Sequence, residues 1–401
     1  MFESVASTLA LIGVIYWTST AVAQLLTVRA LRTLDDVVGE SDGIASLSII
    51  VAARDEADTF RHELEVLESL DHPNLELVLV DDRSTDATGR IMDEVAASDP
   101  RVRALHVDTL PDGWLGKVHA LEQGRQVAEG QWLLFTDADV ELAPDLPRRV
   151  VATAERLALD QLALLPVVRS DGWLVAGVVA TFARWLLVGT RLWRAADPDR
   201  PDAFGVGACN LVRASAVDAM GGLGAIRMDI ADDAALAHQV AANGGRTMLA
   251  SGVDLVEVRW QQSVSSMVVG FEKYGGSGGV GSIPLAIALA TLALIGELAP
   301  WLAVGCAIGF GGGSVAAIAL ATIVAATVLG VAAARRSGAP AKGAATGPLG
   351  PMLVWWMQVR AAVLERVRGG VVWRGTFYPT EQVRAGKRYQ LPIGRSGARP
   401  R

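Results

Sequence analysis

Two carboxylates directly follow a short apolar stretch near the middle of the chain, and these residues are the best suited to chemistry. Trp132-Leu-Leu-Phe135 is typical of a buried strand, and Thr136-Asp137-Ala138-Asp139 comes next. In an open α/β sheet, ligands bind at the carboxyl ends of strands. There Asp137 and Asp139 offer oxygen ligands to Mg²⁺ or Mn²⁺ and leave positions for a substrate's phosphates. For an isolated Asp-x-Asp, the plain alternative is a solvated turn in which an aspartate caps the next helix.

Three other charged clusters fall where predicted strands end or a predicted helix begins. Arg54-Asp55-Glu56 follows a strand at 46–52, and Asp81-Asp82 follows a strand at 75–80. Gly113-Trp-Leu-Gly-Lys117 opens a helix, where the helix dipole and the lysine both favour a diphosphate. We predict that the two acidic pairs lie on neighbouring strands at one rim of the sheet. Together these clusters favour a ligand site over separate surface turns.

A further acidic pair, Asp232-Asp233, opens a predicted amphipathic helix that ends near residues 243–245. One carboxylate at such a position is ordinarily an N-cap, but two in a row leave one available. A carboxylate near a metal-bound diphosphate could act as a general base toward an attacking hydroxyl. The chain has no P-loop lysine motif, so ATP hydrolysis is not supported.

The elements that must position these residues alternate between strand and helix from residue 45 to about residue 168. Strands are predicted at 46–52, 75–80, 102–107, 132–135 and 162–168, with helices of about ten residues between them. This alternation predicts an α/β fold with a mainly parallel, doubly wound sheet.

Apolar segments flank this region on both sides. Hydrophobic residues make up 51% of the 401 residues, yet 20% are charged, which suggests a water-facing domain joined to membrane segments. An uncharged run within residues 1–30 predicts a transmembrane helix, and residues 283–334 predict a transmembrane hairpin. A cleaved signal peptide is the alternative at the N-terminus, but it fits poorly because no basic region precedes the run. Glu297 within the hairpin is a functional candidate, with a polar bend beside Pro300 as the plain alternative.

Two other apolar stretches are interrupted by arginine. Residues 172–194 contain three arginines and three tryptophans, which favours a helix lying in the membrane interface. Residues 349–364 are short and contain Arg360, which favours a re-entrant or interfacial helix. From residue 335 on, thirteen Lys and Arg against two Glu give a charge of +11, whereas the remainder carries −18. We therefore predict a multi-pass protein of the cell membrane whose catalytic domain and basic tail are cytoplasmic, without nucleic-acid binding.

As an ordered set, these motifs resemble those of family 2 glycosyltransferases, which are inverting enzymes of GT-A fold. The resemblance extends from residue 46 to about residue 274, within a predicted catalytic domain at 45–280. It rests on Val51-Ala-Ala-Arg-Asp-Glu56, Asp81-Asp-Arg-Ser-Thr-Asp-Ala-Thr88, Gly113-Trp-Leu-Gly-Lys117, Thr136-Asp-Ala-Asp139, Gly207-Ala-Cys-Asn-Leu-Val-Arg213 and Ala231-Asp-Asp-Ala234. Gly270-Phe-Glu-Lys273 and Trp373-Arg-Gly375 resemble the membrane-bound branch near the hopanoid-associated and carotenoid glycosyltransferases, with ceramide glucosyltransferases more distant.

The resemblance implies a role for each matched residue. On the donor side, Arg54, Asp55 and Glu56 line the nucleotide pocket, Asp82 contacts the base, and Lys117 lies near the diphosphate. Asp137 lies by the ribose and the metal, Asp139 is the principal ligand of Mg²⁺ or Mn²⁺, and Asp233 is the catalytic base. Asp232, Arg259 and Trp260 are assigned to the acceptor side.

One departure from the family pattern favours a single transfer. Processive members carry Gln-x-x-Arg-Trp, whereas this chain has Val256-Glu-Val-Arg-Trp260. In addition, about three predicted spans are few for the channel-forming helix bundle of a polysaccharide synthase. The resemblance therefore implies a membrane-bound enzyme that moves a sugar from a nucleotide-diphosphate sugar, with UDP favoured, to a lipid hydroxyl. Transfer to a polyprenyl phosphate, processive polysaccharide synthesis and a catalytically inactive membrane scaffold are the alternatives.

Overall fold

The computed structural model describes residues 2–35, 45–170, 172–200, 202–260, 263–276, 278–310 and 312–389. The strands are β1 Leu47–Ala53, β2 Leu75–Asp82, β3 Val102–Val107, β4 Trp132–Asp137, β5 Val140–Leu142, β6 Gln161–Leu165, β7 Val167–Val168, β8 Asn210–Arg213, β9 Thr247–Ser251, β10 Val256–Val258, β11 Gly370–Trp373 and β12 Thr376–Pro379. The first seven helices are α1 Phe2–Ala30, α2 Ala57–Glu68, α3 Thr88–Ser98, α4 Gly116–Val127, α5 Leu146–Arg156, α6 Trp173–Thr190 and α7 Leu192–Ala195. The others are α8 Ala214–Ala219, α9 Asp232–Ala242, α10 Val264–Gly270, α11 Ile283–Phe310, α12 Gly313–Arg336, α13 Leu349–Arg368 and α14 Thr380–Gly386.

A seven-stranded sheet with the order β3-β2-β1-β4-β8-β6-β9 forms the centre of the fold. Leu47 of β1 pairs in parallel register with Leu75 of β2 and with Trp132 of β4. Only β8 runs antiparallel, because it pairs in that sense with both β4 and β6. Strands β1, β2 and β4 are buried on both faces, which explains their near-continuous apolar sequences. The predicted mainly parallel α/β sheet is confirmed.

The two acidic pairs do not lie on neighbouring strands, and that prediction is wrong. Strand β1 lies between β2 and β4, so the ends of β2 and β4 flank the end of β1. The end of β1 carries Arg54-Asp55-Glu56. The rim therefore presents a row of three charged strand ends, with the arginine-containing cluster in the middle.

Proline divides the strand that the sequence predicts at 162–168. Residues before Pro166 form β6 in the central sheet, whereas those after it form β7 in a second sheet with the order β5-β10-β7. Proline has no backbone N–H to donate to a ladder, so a central strand cannot continue through it.

The chain returns to the central sheet after α13, in a region that the sequence analysis assigned to a basic tail. Val371, Tyr378, Val383 and Tyr389 are buried in the hydrophobic core that covers one face of the sheet. Strands β11 and β12 form an antiparallel hairpin, and α14 follows directly. Residues 370–389 thus pack into the catalytic domain, although the predicted domain ends at residue 280.

Within the residues that the structure describes, four helices are long and apolar enough to cross a membrane: α1, α6, α11 and α12. Helices α11 and α12 occupy the predicted hairpin at 283–334. The predicted interfacial helix at 172–194 is divided at Arg191, whose φ of 54° ends α6 and begins α7. By length and composition α6 also fits a crossing, so its interfacial placement stays a prediction. Helix α13 extends beyond the predicted 349–364 and reaches Arg368.

Candidate active site

Lys117 lies in the first turn of α4, and its ammonium group joins two acidic segments. The Nζ atom is 2.6 Å from Oδ1 of Asp137 at the end of β4 and 3.3 Å from Oδ2 of Asp232 at the start of α9. Burial opposes the charge, but Asp137, Asp232 and Asp233 outweigh it and hold the pKa of Lys117 well above its usual value. Lys117 is therefore a permanent cation between β4 and α9.

Asp233 is held by two backbone N–H groups. Gly207 donates to Oδ2 at 2.8 Å, and Ala234 donates to Oδ1 at 2.8 Å. Burial and the neighbouring charge of Asp232 raise the pKa of Asp233 to about 6. A fixed carboxylate with a pKa near neutrality has the properties of a general base.

Gly207 is the point at which the carboxylates of β4 and α9 converge. A Cβ atom built on this glycine would lie 2.7 Å from Oδ2 of Asp137 and 3.6 Å from Oδ2 of Asp233. Lys117, Asp137, Asp232 and Asp233 line one cavity beside this loop, with about 350 Å³ of empty space, part of it open to solvent. The structure therefore brings four of the predicted site residues to a single cavity.

Asp139 is exposed at the rim, two residues after Asp137. Desolvation by the surrounding cleft and the charge of Asp137 raise its pKa to about 6, and Glu56 adds to this effect. A cation would relieve that crowding of negative charge. In the described part of the chain, no three His, Cys, Asp or Glu residues are grouped closely enough to hold a metal. Because Mg²⁺ is commonly bound by one or two carboxylates plus substrate phosphates, the rim carboxylates fit such a cation.

Asp82 lies close to the start of α4. It is 4% exposed and accepts hydrogen bonds from Arg83 Nε at 2.7 Å and Nη2 at 3.2 Å. Asp82 and Arg83 are adjacent in the chain, and the backbone of Arg83 is left-handed, with φ of 59°. A Cβ atom on Gly116 would lie 2.6 Å from Oδ2 of Asp82, so this carboxylate is next to the residue that precedes Lys117.

The three charged residues after β1 hold the neighbouring loops in place. Asp55 accepts hydrogen bonds from the backbone N–H of Thr85 at 2.7 Å and from its hydroxyl at 3.1 Å. The pKa of Asp55 is lowered, mainly because its carboxylate accepts the hydrogen bond from the backbone N–H of Thr85. Arg54 donates to Thr376 Oγ1 at 3.3 Å, and Glu56 forms an ion pair with Arg374 at 2.9 Å. Two of these three residues therefore contact the C-terminal hairpin.

Sequence reasoning missed the part that this hairpin plays at the rim. Arg374 also donates to the carbonyl oxygen of Arg54 at 3.2 Å, and Tyr378 Oη accepts a hydrogen bond from Gly116 N–H at 3.1 Å. In the sequence, Trp373-Arg-Gly375 resembles a motif of the membrane-bound branch, but nothing there predicts its contact with the rim. A contact between residues 320 positions apart leaves no local signal in one sequence.

A second cation, Lys273, is held between aromatic rings. Its Nζ atom is 5.0 Å from the ring centre of Tyr274 and 4.8 Å from that of Trp373. Burial raises the pKa of Asp137, but nearby cations bring it below its usual value. Lys117 contributes most to this lowering, and the charge of Lys273 adds to it. Lys117, Lys273 and Arg374 therefore surround the carboxylates of the rim with positive charge.

Trp260 belongs to an aromatic cluster that joins the site to α6. The cluster consists of Phe182, Trp260, Phe271 and Tyr274, and the ring centres of Phe182 and Trp260 are 5.2 Å apart. Arg259 is exposed beside it. Asp232, which was predicted on the acceptor side with these two residues, contacts Lys117, and its acceptor-side role stays a prediction.

Comparison with known proteins relates the chain to glycosyltransferases. The family described as "Glycosyl transferase family 2" matches residues 48–221. Succinoglycan biosynthesis protein ExoO of Rhizobium meliloti is 33% identical over 135 residues, which cover 33% of this chain and 36% of that protein. The matched segment thus spans about a third of that relative. The 4,4'-diaponeurosporenoate glycosyltransferase of Staphylococcus aureus is 25% identical over 256 residues, which cover 63% of this chain and 67% of that protein.

A solved structure with a similar fold covers nearly the whole chain. It is the mannosyltransferase PcManGT from Pyrobaculum calidifontis in complex with GDP-Man and Mn²⁺. The superposition has a TM-score of 0.52 at 19% identity and covers 92% of this chain and 99% of that one. At this identity the likeness concerns the fold alone.

Proposed function

Residues 48–221 form a glycosyl transferase family 2 domain in a GT-A fold, and from that premise we propose a specific reaction. The chain moves one sugar from a nucleotide-diphosphate sugar to the hydroxyl of a lipid, with inversion at the anomeric carbon and with a divalent cation. The observation that carries this proposal is the single cavity on which Lys117, Asp137, Asp232 and Asp233 converge, with Asp139 at the adjoining rim.

The donor site lies along the three charged strand ends and the start of α4. Asp82 is assigned to the base, and Arg54, Asp55 and Glu56 to the nucleotide pocket. The solved neighbour holds GDP-Man, a donor of the same chemical class, while the resemblance of the motifs favours UDP as the nucleotide here. Lys117 and the N-terminus of α4 together stabilise the negative charge of the departing diphosphate.

Asp139, with Asp137 beside it, would hold Mg²⁺ or Mn²⁺. When bound there, the cation neutralises charge on the leaving diphosphate. Asp137 is already 2.6 Å from Lys117, so Asp139 is the carboxylate with more freedom to turn toward a cation. The solved neighbour contains Mn²⁺, which is one of these two ions.

Asp233 is assigned as the base that accepts the proton of the attacking hydroxyl. The hydroxyl oxygen bonds to the anomeric carbon as the bond from that carbon to the diphosphate oxygen breaks. Because attack comes from the face opposite the leaving group, the configuration inverts. The N–H groups of Gly207 and Ala234 keep the carboxylate fixed during this step.

A lipid acceptor is supported by the apolar helices and by one relative. Four helices in the described part of the chain are apolar enough to cross a membrane, and the name of the Staphylococcus aureus relative gives a diaponeurosporenoate as the molecule that is glycosylated. The aromatic cluster lies between α6 and the site, where an apolar acceptor would approach. Val256 in place of glutamine supports a single transfer rather than polymerisation.

The pH dependence of transfer tests the base. Burial and Asp232 place the pKa of Asp233 near 6, and only the ionised carboxylate accepts a proton. We expect kcat/KM to fall tenfold per pH unit below about pH 6 and to lose this acid limb in Asp233→Asn. A profile measured at saturating metal that stays flat from about pH 7 to pH 5 would contradict the assignment.

Arg374 is expected to strengthen donor binding from the hairpin. Its guanidinium bridges Glu56 and the carbonyl of Arg54 beside the rim, so Arg374→Ala removes one positive charge near the diphosphate. Because the side chain is half exposed, we expect a loss of about 1 kcal/mol, or about fivefold in the Kd for UDP in the presence of Mn²⁺. Isothermal titration calorimetry measures this, with Arg366→Ala on the exposed face of α13 as the matched control. Equal affinities in the two variants would remove Arg374 from the donor site.

Transfer itself is tested with radiolabelled nucleotide sugars and membranes that contain the full chain. The proposal predicts label in the organic extract, only with a divalent cation, and in a product that carries one sugar. Label in a water-soluble polymer would favour processive synthesis. If the product is a lipid-linked sugar phosphate and Asp233→Asn forms it as well as the parent does, a polyprenyl phosphate acceptor is favoured. Such an acceptor is already ionised and needs no base.

A further inference from the structure

A polar cavity lies among the apolar helices, separate from the cavity at the rim of the sheet. It has about 550 Å³ of empty space, part of it open to the surroundings, and shares no lining residue with the first. Its walls come from α1, α6, α11 and α12 and from the segment 343–347 that precedes α13. Polar groups facing a cavity between candidate membrane helices mark a functional site.

A buried ion pair lines this cavity. Glu297 of α11 is 2% exposed, and its Oε1 atom is 2.9 Å from Arg184 of α6. The same oxygen accepts hydrogen bonds from Tyr16 Oη at 2.8 Å and from Trp185 Nε1 at 3.3 Å. Among the described residues, the other carboxylate oxygen receives no such bond, so it remains available as an acceptor.

Donors are also available in the same space. The indole N–H of Trp17 is buried and has no partner among the described residues. Gln24 lies seven residues further along α1, on the same face and about 10 Å away along the helix axis, and its amide also lines the cavity. Thr181, Thr327 and Thr346 line the cavity too, but their hydroxyls already donate to backbone carbonyls. Among the described residues, the donors of Trp17 and Gln24 therefore remain unused. A ligand that both donates and accepts hydrogen bonds would satisfy these groups.

The charge of the cavity selects the class of ligand. Arg184 and Glu297 are the charged residues that line it, and they neutralise each other at 2.9 Å. An anionic headgroup would gain no net attraction, and it would lose its hydration in a low-dielectric environment. A neutral hydroxyl can donate to the free oxygen of Glu297 and accept from Trp17 without that cost.

We propose that this cavity binds a neutral lipid through a free hydroxyl group, at a site distinct from the catalytic cavity. The apolar part of the lipid would lie between the helices on the side of the cavity lined by Gln24 and Gly330, toward the ends of α1 at Ala30 and of α12 at Arg336. The site does not depend on the transfer reaction, so its occupancy is measured without nucleotide or sugar.

Thermal stability of the purified full chain in detergent tests the proposal with three probes. Dioctanoylglycerol has a free hydroxyl and no charge, its acetyl ester lacks the hydroxyl, and dioctanoyl phosphatidic acid adds negative charge. We expect a saturable rise in Tm with dioctanoylglycerol alone, since a ligand that binds only the folded state stabilises it. An equal rise with the acetyl ester, a larger rise with phosphatidic acid, or no rise with any probe would overturn the proposal.

Two variants locate the effect in the cavity. Trp17→Phe keeps the ring but removes the N–H that would donate to the hydroxyl, and Gln24→Leu removes an amide that would donate to an ester carbonyl of the same lipid. Each is expected to weaken binding of dioctanoylglycerol about fivefold, the equivalent of one hydrogen bond of about 1 kcal/mol. Ser19→Ala, on the exposed face of the same helix, is the control and should bind as the parent does. Unchanged affinity in both cavity variants would overturn the assignment.

Discussion

Replacing Asp233 by asparagine is expected to lower kcat for sugar transfer by a factor of about 10² to 10⁴, the usual contribution of a general base. The asparagine side chain cannot accept the proton of the acceptor hydroxyl. Binding of the nucleotide should change little, because the diphosphate would be held by Lys117 and by the cation on Asp137 and Asp139 rather than by Asp233. Initial rates at saturating donor and a titration with UDP measure the two quantities separately.

A loss of folding would mimic this result, so the stability of the variant has to be measured as well. Asp233 accepts one hydrogen bond at each carboxylate oxygen, from Gly207 and from Ala234. Asparagine keeps one acceptor, and the lost bond costs about 1 to 3 kcal/mol. Asp218→Asn, at an exposed partner of Arg125, is the matched control. A folded Asp233→Asn protein with more than half of the parent activity would exclude Asp233 as the base.

Replacing Asp139 by alanine is expected to abolish the dependence of nucleotide binding on the divalent cation. For the parent, nucleotide with Mn²⁺ at a hundred times its Kd should add about 2.7 kcal/mol to the stability of the folded state. This stabilisation should vanish in Asp139→Ala, because Asp137, the other carboxylate assigned to the cation, contacts Lys117. Transfer should fall below detection in the same variant.

The same substitution has an opposite effect on the protein without ligands. The pKa of Asp139 is raised in the folded state to about 6, so its ionisation lowers stability as the pH rises from about 4, and the full loss is present above about 6. Without metal at about pH 8, Asp139→Ala should therefore melt at a higher temperature than the parent, and the difference should disappear near pH 4. A variant that melts lower in metal-free buffer and still responds to Mn²⁺ and nucleotide would show that the cation binds elsewhere.

The sequence was sufficient for the parts of the site that depend on local pattern. The apolar runs before Asp82 and Asp137 predict strands, and parallel strands place their carboxyl ends at one edge. Lys117 at the start of α4 follows from the amphipathic pattern after it. Four predicted residues accordingly line one cavity, although their catalytic roles stay predictions.

The order of the strands and the path of the C-terminal segment could not be predicted in this way. Strand β1 separates β2 from β4, and β8 joins the sheet antiparallel from more than seventy residues beyond β4. Arg374 and Tyr378 reach the rim from a hairpin whose charge pattern resembles a solvated tail. Such contacts depend on tertiary packing, and one sequence contains no periodic signal for them.

The anomeric configuration of the lipid product tests the account most directly. Proton NMR of the product made from an α-linked nucleotide sugar reports the configuration through the coupling of the anomeric proton. With Asp233 as a base and displacement in one step, the product is predicted to be the β-glycoside of a lipid hydroxyl. An α-glycoside would contradict a single displacement and with it the roles assigned to Asp233 and to the cavity around it.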